Sequence, residues 1–237
     1  MANGAAFDHA VTLALENPSL DVGCHLVLIG GRSLLEPHDP LPESVPELLV
    51  AILAGNLRVK DELRAQVNRI LSAGIKPSHI DTHKHTHLAP PVLDAVAEIA
   101  QEFGIVWVRR PFDLPLTAAR GAAPLLKRLT TDSLELFRGR FHRVLTDHNC
   151  RMTDHFAGFQ LTGRFRTAEL VRLIHELPEG TTEFMCHPGR CGEELRNAKT
   201  RLKESRADEL AALLAPETRQ ALVESGIRLG HYRDLSE

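Results

Sequence analysis

Short extended runs that alternate with amphipathic helical segments constrain the fold of this chain more than any other feature. Apolar residues spaced three or four positions apart, as expected of helices with one buried face, mark the segments KDELRAQVNRIL, PPVLDAVAEIAQEFG, TAELVRLIHELPEG, SRADELAALL and PETRQALVESG. Between them lie the extended runs LDVGCHLVLIG, SHIDTHKH, GIVWVRRPF, TTEFMCHPG and GIRLGHYRDL. This alternation predicts an α/β fold with a largely parallel sheet.

Two stretches interrupt the periodic pattern. Residues 32–56 and 115–163 are less regular, and we expect long loops with short helices there that cover a site at the carboxyl ends of the strands. The helix in SRADELAALL is expected to begin at a pair that resembles a capping box, Ser205 and Asp208.

Length and charge exclude several classes of protein. A chain of 237 residues suits one domain over residues 1–237. The net charge of −3 carries no basic excess, so a nucleic-acid partner is not expected. No apolar stretch approaches the ~20 residues that a membrane span requires. The first ten residues, MANGAAFDHA, lack the features of a signal peptide, which predicts a cytoplasmic protein.

The cysteines do not resemble a disulfide framework or a structural zinc site. Cys24, Cys150, Cys186 and Cys191 form no CxxC pair. We therefore expect reduced thiols that are mostly buried, including Cys186 in the core.

The segment HIDTHKHTH contains the strongest local signal for chemistry. It follows a turn and precedes a helix, so it is expected to be a strand that continues into a loop, with His79, Asp81 and His83 on one face. Asp81 could bind a metal ion or orient a ligand histidine. His85 and His87 are expected to be supporting or surface residues. The alternative is a solvated polar loop that is rich in histidine.

Two further histidines stand in other strand candidates. His25 interrupts the apolar run VGCHLVL and is either a hydrogen-bonded core residue or a second metal ligand from a neighbouring strand. His187 ends the run EFMCHPG and is either a loop residue or a general acid that protonates a leaving group near neutral pH.

Weaker candidates follow two other runs. Arg109 and Arg110 in VRRPF could clamp a substrate or a carboxylate partner, or lie at the surface. Asp154 and His155 in TDHFAGF are expected in a long loop, where they could line a sugar pocket or pin the loop.

Together these motifs resemble the YdjC-like (ChbG-like) carbohydrate deacetylases. The resemblance rests on NGAAFDHAVTLALENPSLDVGCHLVL, KPSHIDTHKHTHLAPPVLD, TDHFAGF, TEFMCHPG and GIRLGHYRDL, which occur in the order of the family and cover nearly the whole chain. It implies a distorted, TIM-barrel-like (β/α) barrel that removes N-acetyl groups from amino sugars such as chitin-derived oligosaccharides. It also implies a divalent metal, commonly magnesium, although histidine ligands would suit zinc equally.

The resemblance also implies roles for individual residues. His25 and His83 match two metal-binding histidines of the family, and His187 matches its proton donor. Asp81, His85, Arg109, Asp154 and His155 are then expected to contact the substrate or support the ligands. The implied partner is an amino sugar or oligosaccharide, and family members often form dimers, so a homodimer is one assembly to expect.

The chain departs from the family in one respect. Family members begin with a strand that ends in an ADDFG-like stretch, whose aspartates complete the metal site and act as the base, and no such stretch is present here. The barrel is therefore expected to lack its first strand and helix, roughly 30–40 residues. The alternative function is accordingly a non-catalytic pseudoenzyme or sugar-binding protein. A metallohydrolase for phosphoesters is a third hypothesis, disfavoured because no glycine-rich phosphate loop is present.

Overall fold

Parallel strands form the sheets of both units into which the chain divides. In the computed structural model of this chain, residues 2–116, 135–198 and 200–236 are described. Unit 1 combines three stretches of sequence, Met1–Arg109, Phe137–Met152 and Gly230–Glu237. Unit 2 comprises Arg110–Leu136 and Thr153–Leu229. The expectation of one domain over residues 1–237 stays a prediction, because compact units do not show how a chain folds.

Unit 1 contains a three-stranded parallel sheet in the order β1-β2-β3. Its described elements are α1 (Phe7–Glu16), β1 (Cys24–Leu26), α2 (Val45–Leu53), α3 (Val59–Ser72), β2 (His79–Thr82), a 3-10 helix (His83–Leu88), α4 (Pro90–Phe103), β3 (Trp107–Val108), α5 (Arg138–Asp147) and a 3-10 helix (Tyr232–Ser236). A short 3-10 turn at Glu135–Phe137 precedes α5. Since α3 and α4 each follow one strand and precede the next, the connections are those of βαβ units.

Residues at the ends of α2 and α4 explain where these two helices of unit 1 begin or end. Ser44 caps α2, because its hydroxyl accepts a hydrogen bond from the Glu47 amide. Pro90 is the first residue of α4, a position where the missing amide hydrogen costs nothing. Gly104, in the left-handed conformation, ends the same helix. Val92, Val96 and Ile99, which lie three or four positions apart in this segment, are buried, as the helical spacing indicated.

Unit 2 contains a two-stranded parallel sheet and four described helices. The elements are β4 (His155–Ala157), α6 (Thr167–Glu176), β5 (Thr182–Phe184), α7 (Glu193–Asn197), α8 (Glu204–Leu214) and α9 (Pro216–Glu224). Its hydrophobic core joins the strands to α6, α8 and α9 through Ala157, Leu161, Phe165, Leu170, Leu173, Ile174, Ala212 and Ala221.

The mixed α/β architecture with parallel sheets is confirmed, and three finer predictions are not. The described residues form two separate sheets and no closed barrel, so the (β/α) barrel stays a prediction. The run GIRLGHYRDL forms no strand, because its last residues turn into the 3-10 helix Tyr232–Ser236. No side chain caps α8, which begins at Glu204, and Asp208 instead pairs with Arg166 at 3.5 Å.

The less regular stretches contain more structure than the sequence indicated. Residues 32–56 include α2, in agreement with a loop that carries a short helix. In residues 115–163, the middle of TDHFAGF forms β4 and Asp154 lies just before this strand, whereas residues 117–134 lie outside the described part of the chain. None of the helices that the structure describes combines the length and apolar character needed to cross a membrane.

All four cysteines are free thiols, as predicted. Cys24 and Cys150 are buried, whereas Cys186 and Cys191 are half-buried. Cys186 therefore packs at the edge of the core of unit 2 and not in its centre. Burial raises the pKa of Cys24 to about 12 and that of Cys150 to about 11, which keeps both thiols protonated.

Candidate active site

The register of three parallel strands places three candidate side chains in one row. His25 of β1 lies opposite Asp81 of β2, and the Arg109 amide, just after β3, bonds the Ile80 carbonyl. Residues paired in register point to the same face of a sheet, so His25, Asp81 and Arg109 meet there. His25 is not a core residue, since 45% of its side chain is exposed while Cys24 and Leu26 on the opposite face are buried.

Asp81 is the centre of this row. Its Oδ2 accepts a hydrogen bond from His25 Nδ1 at 2.8 Å and a second one from the Arg109 guanidinium. Only 5% of the Asp81 side chain is exposed. Burial alone would raise the pKa of this carboxyl, but Arg109 and His25 outweigh burial and lower the pKa below its ordinary value. Asp81 is therefore an anion throughout the neutral range and keeps the hydrogen of His25 on Nδ1.

The remaining nitrogen of His25 faces a second histidine. His25 Nε2 lies 3.4 Å from Nδ1 of His83, the first residue of the 3-10 helix that follows β2. Two imidazole nitrogens that bind one zinc ion at ~2.0–2.1 Å with a tetrahedral angle lie roughly 3.3–3.4 Å apart. His25 and His83 therefore fit a divalent metal as two of its ligands.

The two nitrogens do not form a complete metal shell. Within residues 2–116, 135–198 and 200–236, no group of three or more histidine, cysteine or acidic residues is assembled to hold an ion. Asp81, which the sequence left open as a ligand, instead bonds His25 and Arg109. In this arrangement, a carboxylate orients a histidine by binding the ring nitrogen that faces away from the metal site.

The backbone turns sharply after β2 and separates the alternating histidines. Lys84 and His85 adopt positive φ angles of 54° and 52°, so the expected alternation ends at Thr82. His85 and His87 are both buried, and a surface position for either is wrong. The pair belongs to the interior of unit 1.

His87 is held by hydrogen bonds at both ring nitrogens. Nε2 lies 3.1 Å from the Arg109 carbonyl, which can only accept, so Nε2 carries the hydrogen. Nδ1 then accepts from the Thr82 hydroxyl at 2.5 Å, and the same hydroxyl oxygen accepts from the His87 amide. Burial lowers the pKa of His87 to about 4, which keeps the ring neutral. His87 thus ties the end of β2 to the backbone of Arg109.

His79 shares the face of Asp81, as predicted, but not its surroundings. Its ring stacks on Tyr232 with the centroids 4.2 Å apart, and Tyr232 also contacts Trp107. Gly23 also lies close to this ring, since a Cβ atom there would meet it at 2.3 Å. This packed layer lies at the amino-terminal side of the row.

In unit 2, the candidate proton donor lies in the turn after β5. Its strand ends at Phe184, and His187 is half-buried three residues further on. The His187 amide donates to Oε2 of Glu209 at 2.6 Å. Arg206, also on α8, lies with Nη1 3.5 Å from the His187 carbonyl. The backbone of His187 is therefore anchored on α8.

Asp154 and His155 make the contacts of a pinned loop. Asp154 Oδ2 accepts from the amide and the hydroxyl of Thr181 at 2.8 and 2.7 Å. His155 Nε2 lies 3.1 Å from the Glu179 carbonyl. Gly180, between these partners, has a φ of 106° and no room for a Cβ beside Asp154. These bonds join the start of β4 to the loop before β5, and a role of Asp154 and His155 in a sugar pocket stays a prediction.

Three polar residues with central roles were not found from the sequence. Glu209 is a buried polar residue within the mostly apolar buried face of α8. Glu62 and Gln66 are buried in the same way in α3. Gln66 bonds both backbone groups of Val27, at the end of β1. A signal was present, because polar residues at the spacing of a buried helical stripe indicate internal hydrogen-bond partners.

Comparison with known proteins agrees with these motifs. The family model described as "YdjC-like protein" matches residues 1–224. A protein of Brevibacillus brevis named carbohydrate deacetylase is 30% identical over 247 residues, which cover 99% of this chain and 86% of that protein. Proteins of the same name from Geobacillus stearothermophilus and Mus musculus are 32% and 30% identical, each with 99% of this chain and 84% of theirs aligned.

A solved structure shares the fold. The crystal structure of a candidate cellobiose-phosphate cleavage protein from Enterococcus faecalis V583 superposes with a TM-score of 0.73 and 19% identity. The match covers 99% of this chain and 85% of that one. The family model, the relatives and the motifs around His25, Asp81 and His187 thus agree, and the chain belongs to the YdjC-like protein family.

Proposed function

We propose that this chain is a metal-dependent hydrolase that removes N-acetyl groups from amino sugars or chitooligosaccharides. The observation that carries the proposal is the pair His25 Nε2 and His83 Nδ1, 3.4 Å apart, with His25 oriented by a buried aspartate. Relatives named carbohydrate deacetylase over nearly the whole chain support the class of substrate.

Each residue of the row has a separate task in this proposal. His25 and His83 hold the divalent ion, which, when bound, polarises the acetamide carbonyl and lowers the pKa of water. Asp81 keeps the hydrogen of His25 on Nδ1, so that Nε2 presents its lone pair. Arg109 neutralises Asp81 and prevents that carboxylate from turning away.

His187 is proposed as the general acid. Water adds to the acetamide carbon, and the C–N bond then breaks to give acetate and a free amine. An amide nitrogen leaves poorly as an anion, so a proton must reach it as the bond breaks. The His187 imidazole supplies that proton, because histidine is the side chain that most readily exchanges a proton near neutral pH.

The direct test is release of acetate from N-acetylated chitooligosaccharides by chelator-treated protein to which magnesium or zinc is returned. We expect turnover to depend on the added metal and to be lost in His83→Ala. His9→Ala is the matched control, because His9 is an exposed histidine on α1 and should leave turnover unchanged. Unchanged acetate release in His83→Ala would contradict the metal assignment.

Metal binding can be measured apart from turnover. Titration calorimetry should detect one ion per chain in the wild type and a loss of affinity in His25→Ala and His83→Ala. The two imidazole nitrogens favour zinc, whereas magnesium prefers oxygen ligands. Tight zinc and weak magnesium binding would therefore indicate that these nitrogens dominate the ligand set.

Two other functions would give different results in the same assay. A sugar-binding protein without catalysis would bind chitooligosaccharides and release no acetate with either metal. A phosphoester hydrolase would release phosphate and not acetate from a panel that contains both kinds of substrate. Either outcome would replace the proposed function.

A further inference from the structure

A buried carboxylate in unit 2 joins two loops through their backbone. Glu209 of α8 is 1% exposed. Its Oε1 accepts a hydrogen bond from the Gly163 amide at 2.8 Å, and its Oε2 accepts one from the His187 amide at 2.6 Å. Each oxygen therefore has its own donor, and both donors belong to loops outside α8.

The turn that carries His187 is also fixed by its other neighbours. The Gly189 amide donates to the Arg206 carbonyl at 3.0 Å, one helical turn before Glu209 on α8. On the strand side, the Met185 amide donates to the Ala157 carbonyl of β4 at 2.8 Å. Along the chain, the bond from the His187 amide to Glu209 lies between the bonds of the Met185 and Gly189 amides.

We propose that Glu209 is a positioning residue for the His187 imidazole. The inference rests on the proposed function, in which His187 is the general acid. Glu209 does not touch the substrate in this scheme. It fixes the backbone from which the imidazole extends, and thereby the place from which the proton is delivered.

The chemistry of the two donors requires a carboxylate at this position. A carboxylate only accepts hydrogen bonds, and its two oxygens can satisfy both amides. A glutamine has the same shape but only one oxygen, so its NH₂ group would face one of the two N–H donors. The bonds to an ionised acceptor are also stronger than those to a neutral one. Glu209→Gln therefore disturbs the anchor without a change in volume.

The experiment compares Glu209→Gln with Thr218→Val, a control in the same unit. Thr218 is buried, and its hydroxyl donates to the Ala212 carbonyl at 2.7 Å, so this change also removes a buried hydrogen bond but touches no loop of His187. We expect Glu209→Gln to lower kcat by about 10- to 100-fold with KM unchanged, since a displaced acid slows proton delivery but not binding. Thr218→Val should leave both constants at the wild-type values.

A double-mutant cycle separates positioning from general damage. If Glu209 acts through His187, Glu209→Gln should cause no further loss of kcat in a His187→Ala background. An equal loss in both backgrounds would overturn the proposal, as would wild-type kcat in folded Glu209→Gln. If Glu209→Gln does not fold, Glu209→Asp takes its place, because the shorter side chain reaches only one of the two amides.

A spectroscopic readout keeps the inference separate from the proposed function. In isotope-labelled protein, the amide and ring resonances of His187 should shift in Glu209→Gln and not in Thr218→Val. Absence of acetate release by the wild type would refute the proposed function, and these shifts would still decide whether Glu209 positions His187. Resonances of His187 that are the same in Glu209→Gln and the wild type would overturn the inference.

Discussion

Buried carboxylates organise this protein at the scale of single residues, and their donors differ in kind. Asp113 accepts from the amides of Phe159 and Gln160, and Glu209 likewise accepts from two amides, so both fix loops. Asp81 accepts from the side chains of His25 and Arg109 instead. Among these three carboxylates, Asp81 is therefore the one whose removal should alter a functional group directly.

Substitution Asp81→Asn should destabilise the protein and weaken metal binding together. Loss of the carboxylate leaves the Arg109 guanidinium without its buried partner, at a cost of about 3 kcal/mol in the free energy of unfolding. Metal affinity should fall about 10- to 100-fold, because the orientation of His25 is lost. Urea denaturation and calorimetric titration measure the two effects.

The control for this substitution is Asp94→Asn. Asp94 pairs with Arg140 at 3.0 Å, and both side chains are about half exposed. An exposed pair contributes about 0.2–1 kcal/mol, so the control should lose little stability and no metal affinity. Equal effects of the two substitutions would contradict the special role of Asp81.

His87 makes stability depend on pH. Its folded pKa of about 4 lies below the ordinary value near 6.5, so between these values the unfolded chain binds a proton that the folded chain does not. The contribution of His87 to the free energy of unfolding is present in full well above pH 6.5. It decreases as the pH falls toward 4, by about 2 kcal/mol at pH 5. The loss between pH 7 and pH 5 should be smaller in His87→Gln, measured by urea denaturation at both values. An identical pH dependence in the two proteins would show that His87 is not the residue responsible.

At the residue scale, chemistry could be predicted where two groups lie close in sequence. Asp81 and His83 are two positions apart, and their motif identified the segment. The separation of Glu209 from His187 is 22 residues, and only the packing of α8 against two loops brings them together. No local pattern in α8 indicates that contact.

At the scale of elements, the 3-10 helix after β2 shows where periodicity fails. The alternation in HIDTHKHTH extends beyond the strand, but the chain leaves the sheet after Thr82. The hydroxyl of Thr82 bonds the His87 amide and closes this turn, with Lys84 and His85 in the left-handed region between them. The alternation of polar side chains does not show where the backbone bends. The sequence therefore predicted a strand that is too long.

Lys84→Gly should relieve the strain of this turn. Glycine adopts a φ of 54° without steric cost, whereas a residue with a Cβ there costs about 1 kcal/mol. We expect the free energy of unfolding to be unchanged or to rise by up to about 1 kcal/mol. The contrasting change is Lys60→Gly in the first turn of α3, a helical position where glycine should destabilise by up to about 1 kcal/mol. Equal destabilisation at both positions would show that Lys84 is not strained.

At the scale of the whole molecule, unit 1 is assembled from three stretches of chain. Arg233 near the carboxyl terminus bonds the Asp21 carboxylate at 3.0 Å, across 212 residues of sequence. Tyr232 beside it is 9% exposed and packs on His79 and Trp107. The sequence indicated an α/β fold. It could not show that the carboxyl-terminal segment packs on the earlier parts of unit 1, because a 3-10 segment of five residues has no periodic signal.

Tyr232→Ala should destabilise unit 1 by about 3 kcal/mol, the usual cost of removing a buried aromatic ring. The control is Leu229→Ala, because Leu229 lies three residues earlier and is 78% exposed. That change should alter the free energy of unfolding by less than about 0.5 kcal/mol. Chemical denaturation followed by the fluorescence of the single tryptophan, Trp107, reports on this layer directly. A small effect of Tyr232→Ala on the free energy of unfolding would mean that unit 1 does not need the packing of the carboxyl-terminal segment.

The bond between Arg233 and Asp21 also determines when unit 1 can be finished during translation. A ribosome that adds ~5–20 residues per second needs about 10–40 s to pass from one partner to the other. Once β2 has been made, β1 and β2 exist without the tyrosine that covers His79 for the rest of that interval, while unit 2 is synthesised. The nascent chain therefore presents an unfinished sheet to chaperones and proteases until Tyr232 and Arg233 leave the exit tunnel.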